Sequence, residues 1–157
     1  MPSMFQGGTP SAASKDYVDA QIAAAISTNQ IGQWGKDNIA IDQTAVDLPL
    51  VGDATRSTIP MVRRGSVIGI AISSNAPISA GTITATVVVD GTPVAVSAQL
   101  SSTSAQTVVA EVAAETVTFN AGSVIGVNIT TNHTFAPVTA DVTATVLTQE
   151  LQALPVA

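Results

Sequence analysis

The chain lacks cysteine and has few cationic residues, and each shortage excludes a class of protein. With no cysteine among 157 residues, it has no disulfide framework, no thiolate metal site and no cysteine nucleophile. Only five lysines and arginines oppose eleven aspartates and glutamates, for a formal net charge of −6. Because affinity for nucleic acid comes from clustered cations, we predict that the chain binds no nucleic acid.

Long hydrophobic runs and aromatic residues are also scarce. Hydrophobic residues make up 46% of the chain, but no run approaches the roughly 18 apolar residues that span a bilayer, so we predict no membrane contact. The first residues, Met1–Gly8, have neither the cationic start nor the apolar stretch of a Sec-type signal peptide. Aromatic residues are 3% of the chain, which disfavours hydrolases and lectins that hold sugars by stacking.

The charged residues that are present are distributed unevenly. No lysine or arginine follows Arg64, and the stretch from Gly65 to Ala157 carries only five carboxylates. A segment without cations has few surface ion pairs, so its stability must come from sheet hydrogen bonds and aliphatic packing. The sequence therefore predicts a neutral β domain coated with threonine and serine.

The first 31 residues predict an arm and a helix. Residues 1–13 are rich in Gly, Pro, Ser and Ala without hydrophobic periodicity, which predicts a flexible arm. Residues 14–31 predict one short α-helix that begins at Ser14 and ends before Gly32. A helix this short is marginal in water, so its apolar stripe must pack on the chain's own β domain or on copies of itself. The stripe consists of Val18, Ile22, Ala25 and Ile26.

From Asn38 onward the hydrophobic pattern has the period of two that is typical of strands. We predict a connecting region with short strands over residues 32–64 and a β domain over residues 65–157. Asp90-Gly91, between two valine-rich runs, predicts a two-residue hairpin. The predicted strands are Asn38–Asp42, Val46–Val51, Thr58–Arg63, Ser66–Ser73, Thr82–Val89, Pro93–Leu100, Gln106–Val112, Thr116–Phe119, Ser123–Thr130 and Asp141–Gln149.

An internal repeat indicates that the β domain has two related halves. Residues 65–75 return at residues 122–132 with seven of eleven positions identical, and Thr84–Val87 returns as Thr143–Val146. About eight strands in two related halves favour a jelly-roll-like antiparallel β-sandwich. On the first strand of the repeat, the alternation predicts that one face is buried, through Ile68, Ile70 and Ile72.

Candidate catalytic residues are few. His133 is the only histidine and could form a triad only with a partner such as Asp141, yet the chain has no Gly-x-Ser-x-Gly nucleophile motif. Glu111 and Glu115 could form an acid pair for glycoside cleavage, but ordinary surface charge accounts for them. We therefore predict no catalytic residue, no cofactor and no metal site.

Three other residues have both a structural and a binding interpretation. Trp34, the only tryptophan, could fill the junction between helix and sheet or could anchor the chain in a partner's pocket. Arg63 and Arg64 precede the repeat and could be edge-strand charges or could pair with an acidic surface. The sequence leaves both alternatives open.

Several segments resemble a family of bacteriophage proteins. Residues 14–26, with their Tyr17-Val18-Asp19 motif, resemble the short helices that precede fibre domains in tailed-phage proteins. Residues 79–87, 119–127 and 140–146 are similar to the β-sandwich of trimeric phage head-fibre and capsid-decoration proteins. The resemblance implies a homotrimer whose N-terminal part attaches to the virion while the β domain faces solvent.

The resemblance leads to a functional expectation. We expect a non-enzymatic virion protein on the capsid surface, with the major capsid protein as its partner and trimer contacts through the apolar stripe of residues 14–31. The alternative is a tail-fibre or baseplate receptor-binding domain whose loop at residues 132–137 contacts the host surface. A polysaccharide hydrolase is a third and weaker hypothesis. The candidate capsid contacts are Phe5, Trp34, Arg63 and Arg64.

Overall fold

The part of the chain that the structure describes is mainly β, with ten strands in two antiparallel sheets. The structure is a computed structural model that describes residues 29–151, and these residues contain no helix. The strands are β1 (Asn29–Lys36), β2 (Val46–Asp47), β3 (Thr58–Pro60), β4 (Gly65–Ser74), β5 (Thr82–Val89), β6 (Thr92–Ser101), β7 (Thr107–Glu111), β8 (Thr118–Phe119), β9 (Val124–Thr131) and β10 (Val142–Glu150).

Each sheet has five strands. The first, sheet A, has the order β1-β10-β4-β7, and β8 pairs with β4 on the same side as β7. The second, sheet B, has the order β2-β9-β5-β6, and β3 pairs with β9 on the same side as β2. The inward side chains of both sheets form a single hydrophobic cluster. This cluster is aliphatic apart from Trp34, Phe119 and Phe135, as expected for a chain whose strands are built from Val, Ile and Ala.

The repeat in the sequence corresponds to a repeat in the topology. Strands β1–β5 form the first half and strands β6–β10 the second, and advancing every strand by five places converts the order of sheet A into that of sheet B. Every pairing between these strands joins one half to the other. Neither half has a sheet of its own.

The Asp90-Gly91 hairpin is confirmed. Asp90 has φ 50° and Gly91 has φ 79°, the two positive values that a type I′ turn requires. Asp90 also accepts hydrogen bonds from the Ser123 hydroxyl and the Val124 amide, both at 2.8 Å. The turn between β5 and β6 is thereby joined to the start of β9.

Strand β1 was not predicted. The predicted helix over residues 14–31 is wrong for Asn29–Ile31, which lie in β1, and its remaining residues are outside the described part of the chain. Glycine conceals the strand pattern, because Gly32 occupies an inward position where Trp34 takes up the space. A Cβ on Gly32 would lie 2.5 Å from the Trp34 ring.

Two further predictions fail locally. Asn38–Asp42 is a loop and not a strand, because Asn38 and Asp42 both have φ 52°, which interrupts extended backbone. Ile68 is half-buried and lies outside the core cluster, whereas Ile70 and Ile72 are buried as predicted. The pairing of β4 with β10 shifts register near Ile68, and this irregularity places Val67 in the core in its stead.

Candidate attachment site

Both ends of the described chain lie at one end of the fold, which we call the termini end. Asn29 opens β1 opposite Gln149, near the end of β10. The amide of Leu151, the last described residue, donates a 3.0 Å hydrogen bond to the carbonyl of Arg64. Any segment preceding residue 29 therefore enters the fold beside the loop that contains both arginines.

The loop Val62–Arg64 protrudes from this end. It connects β3 to β4 and follows Met61, which is buried and bonded at its amide and carbonyl to Ser123 and Gly122, both at 2.8 Å. Val62 is 78% exposed, and Arg63 and Arg64 are also exposed. The loop is thus held at its base while an aliphatic side chain and two guanidinium groups face solvent.

The termini end has exposed charges of both signs, with Arg63 and Arg64 as its cations. Neither Arg63 nor Arg64 forms an ion pair with another residue in the range 29–151. Of the nearby carboxylates, Glu150 is only 6% exposed and accepts a 2.9 Å hydrogen bond from the side-chain Nε2 of Gln30. Asp90 is also exposed at this end, and hydrogen bonds from the Val124 amide and the Ser123 hydroxyl lower the pKa of its carboxyl below its usual value, which keeps it anionic. The Val62–Arg64 loop itself, with two cations and one aliphatic side chain, suits an acidic protein surface with an apolar depression.

Part of this loop was predictable from the sequence. Arg63 and Arg64 were candidate contacts and the structure places both in solvent, but Val62 was not predicted. The signal was available, since Met61 and Val62 are adjacent apolar residues and only one of two neighbours on a strand can face the core.

Trp34 does not lie on the surface. It is 1% exposed within the core, and its indole nitrogen donates a 2.8 Å hydrogen bond to the Ser57 carbonyl. Trp34 is therefore not available as a capsid contact. It also does not fill a junction between helix and sheet, because it lies within strand β1. The remaining predicted contacts lie outside the described residues: Phe5, Val18, Ile22, Ala25 and Ile26.

The loop at residues 132–137 lies at the opposite end, which we call the far end. His133 is exposed there, and its Nδ1 lies 2.9 Å from the Asp42 carboxylate. This hydrogen bond and the negative charge of Asp42 raise the pKa of His133. Asp141, the partner considered in the sequence, instead accepts hydrogen bonds from the Asn38 amide and the Asn75 side chain. His133 therefore does not form the histidine–aspartate pair that a triad with Asp141 would need.

The other candidate chemistry is dispersed. Glu111 is on β7 and Glu115 is in the following loop, and both are exposed. Phe119 and Phe135 are buried in the core, so neither ring offers a stacking surface for sugars. Within residues 29–151, no group of three or more His, Cys, Asp or Glu side chains is placed to hold a metal ion.

A groove of about 550 Å³ lies beside the end of β1. Its ionisable side chains are Lys36, Asp37, Asp53 and Asp141. Asp53 is already engaged, because the Thr55 hydroxyl and amide donate to its carboxylate and lower its pKa, with Arg56 at 3.5 Å. The groove has charges of both signs and no aromatic wall, so it indicates no particular ligand.

Comparisons with known proteins do not identify the chain. No helix long and apolar enough to cross a membrane occurs in the part of the chain that the structure describes. No protein-family model matches the sequence, and no curated protein matches it either.

Proposed function

We propose that the chain is a non-enzymatic structural protein of a bacteriophage virion, a homotrimer that decorates the outer capsid surface. It attaches by its termini end, and the major capsid protein is its partner. The observation that supports this proposal is the position of the exposed Val62–Arg64 loop beside the entry of the N-terminal segment. Two elements at the same end can contact one shell surface together.

The proposed fold is a jelly roll. In a jelly roll, eight strands form two four-stranded sheets with the orders 1-8-3-6 and 2-7-4-5. The short strands β3 and β8 are side pairings and can be set aside. When the remaining eight strands are numbered 1 to 8 in chain order, sheets A and B follow these two orders. Jelly rolls occur in viral capsid proteins and in lectins, so the fold is compatible with a virion protein but selects no single activity.

In the proposed trimer, the apolar stripe Val18, Ile22, Ala25 and Ile26 of three chains forms a short bundle. Three weak shell contacts then act together, and avidity compensates for the small size of each one. The far end, with its loop at residues 132–137, faces away from the shell.

The proposal is tested by sedimenting the purified full chain with empty phage heads. Charge reversal by R63E and R64E together is expected to weaken binding at least tenfold, because it replaces two cations that face the acidic surface. The matched control is K36E, which reverses an exposed cation at the far end and is expected to bind as the parent does. Equal binding by all three proteins would refute attachment through the termini end.

The second candidate is a receptor-binding domain of a tail fibre or baseplate. It is favoured by one observation, the position of the exposed loop at residues 132–137 at the end opposite to the termini. Binding of the purified chain to host cells and not to empty heads would establish this alternative in place of capsid decoration.

A further inference from the structure

The outside of sheet A has an exposed aliphatic surface, which we call the aliphatic face. It consists of Ile31 on β1, Leu147 on β10, Ala71 on β4 and Val109 on β7. Ile31 is opposite Leu147 and Ala71 is opposite Val109 in the strand register. Ile31 is 67% exposed and Val109 is 61% exposed, and no described residue covers them.

Two of the four equivalent positions outside sheet B are polar, whereas Leu147 and its neighbour Ile31 correspond to Val88 and Pro93. Ala71 corresponds to Asn128 in the repeat. Val109 corresponds to Asp47, because Val109 lies opposite Ala71 and Asp47 lies opposite Asn128. The rest of the outer face of sheet B is rich in threonine, for example Thr84 and Thr86. The two halves share one topology, so aliphatic side chains at the positions of Ala71 and Val109 are a property of sheet A and not a requirement of the fold.

The chemistry of the aliphatic face restricts its partner. The residues that lie beside these four on the neighbouring strands include one charged side chain, Glu111 at the β7 edge. A partner with a charged surface would lose hydration there and gain no ion pair. A second uncharged sheet surface of small and aliphatic residues fits, and the same face of another copy of this chain is such a surface.

Size and position argue in the same direction. The face spans four strands, about 14 Å at the usual strand spacing, so it buries far less than the roughly 800 Å² per partner of a stable interface. It must therefore supplement another contact between copies. Ile31 lies two residues after Asn29, so a bundle formed by the preceding segment holds the aliphatic faces of its three chains close together.

We propose that the aliphatic faces of three subunits pack together around the axis of the trimer. This inference rests on the proposed homotrimer and adds the surface through which its β domains meet. The threonine-rich outer face of sheet B then remains in solvent.

The absence of cysteine permits a direct test on the full chain, with single cysteines at Val109 and, as the matched control, at Ser97. Both positions are exposed on the outside of a sheet, Ser97 on β6 of sheet B. In the trimer, a maleimide reagent is expected to modify V109C at least fivefold more slowly than S97C. Equal rates in a trimeric sample would overturn the inference and leave the trimer standing.

A second measurement identifies what covers the face. By sedimentation equilibrium, V109D is expected to raise the concentration at which the trimer dissociates at least tenfold, whereas S97D leaves it unchanged. Slow labelling of V109C together with an unchanged dissociation of V109D would mean that the chain's own N-terminal segment covers the face, which overturns packing between copies. A monomeric parent chain would refute the proposed trimer and this inference together.

Discussion

Gly81 shows how one residue can determine a loop at the far end. Its φ is +69°, and an added Cβ would lie 2.6 Å from the Phe135 amide nitrogen. The Gly81→Ala variant therefore incurs left-handed strain and a backbone overlap, and we expect it to lose about 3 kcal/mol of the free energy of unfolding. Gly52→Ala is the control, since Gly52 has φ +86° with open space around it, and its expected loss is about 1 kcal/mol. Equal losses in urea titrations would contradict the overlap.

His133 gives the molecule a pH-dependent contact. The Asp42 hydrogen bond and charge raise the pKa of His133 in the folded chain. The folded chain therefore binds the proton more tightly than the unfolded chain does, and protonation stabilises the fold. The stabilisation is complete below pH about 6.5, the unfolded pKa, and is lost as the pH rises through the higher folded value. Because the chain has one histidine, an NMR titration reports this group alone. We expect a lower pKa in Asp42→Asn, and an unchanged value would show that the pair does not form.

At the scale of the elements, strand β1 makes a large contribution to the core. It supplies Trp34, the largest buried side chain, and covers the edge of β10. A chain that begins at Gly35 loses Trp34, which costs about 3–5 kcal/mol of a total stability of about 5–15 kcal/mol, together with most of the β1 pairing. We expect it not to fold, whereas a chain that begins at Asn29 keeps a cooperative urea transition. Circular dichroism distinguishes them, and a cooperative transition in the shorter chain would contradict this role for β1.

The strands that sequence could predict are those whose alternation extends over several residues. Strand β5 was predicted at Thr82–Val89 and is found there, because threonine outside and aliphatic residues inside alternate from Thr82 to Val87. Strand β1 was missed because its alternation depends on Gly32, whose inward position has meaning only once Trp34 is placed beside it. The irregularity at Ile68 was equally invisible, since it arises from pairing with β10, far along the chain.

The candidate site was predictable only in part, for a similar reason. Arg63 and Arg64 stand out as neighbouring cations in a chain with few, and no strand pairing is needed to expect them in solvent. Their position beside Asn29 and Leu151 depends on the pairing of β1 and β4 with β10. The burial of Trp34 depends on the same pairing, which is why its residue type alone left two interpretations open.

At the scale of the whole molecule, pairing between the halves predicts a single cooperative unit. If the chain is divided between Asp90 and Gly91, neither fragment has any strand pairing left within itself. We expect each fragment to be unfolded alone, and an equimolar mixture to regain the far-ultraviolet spectrum of the parent and the fluorescence of buried Trp34. A folded spectrum from either fragment alone would contradict this expectation.

The same pairing has a consequence for the origin of the protein. The repeat indicates that a half-length sequence was duplicated, and a single half of this kind has no partner for any of its strands. A half-length ancestor could have folded only as a homodimer in which each copy completed the sheets of the other. The present chain is in that sense a dimer joined into one polypeptide, and the Asp90-Gly91 turn marks the point of fusion.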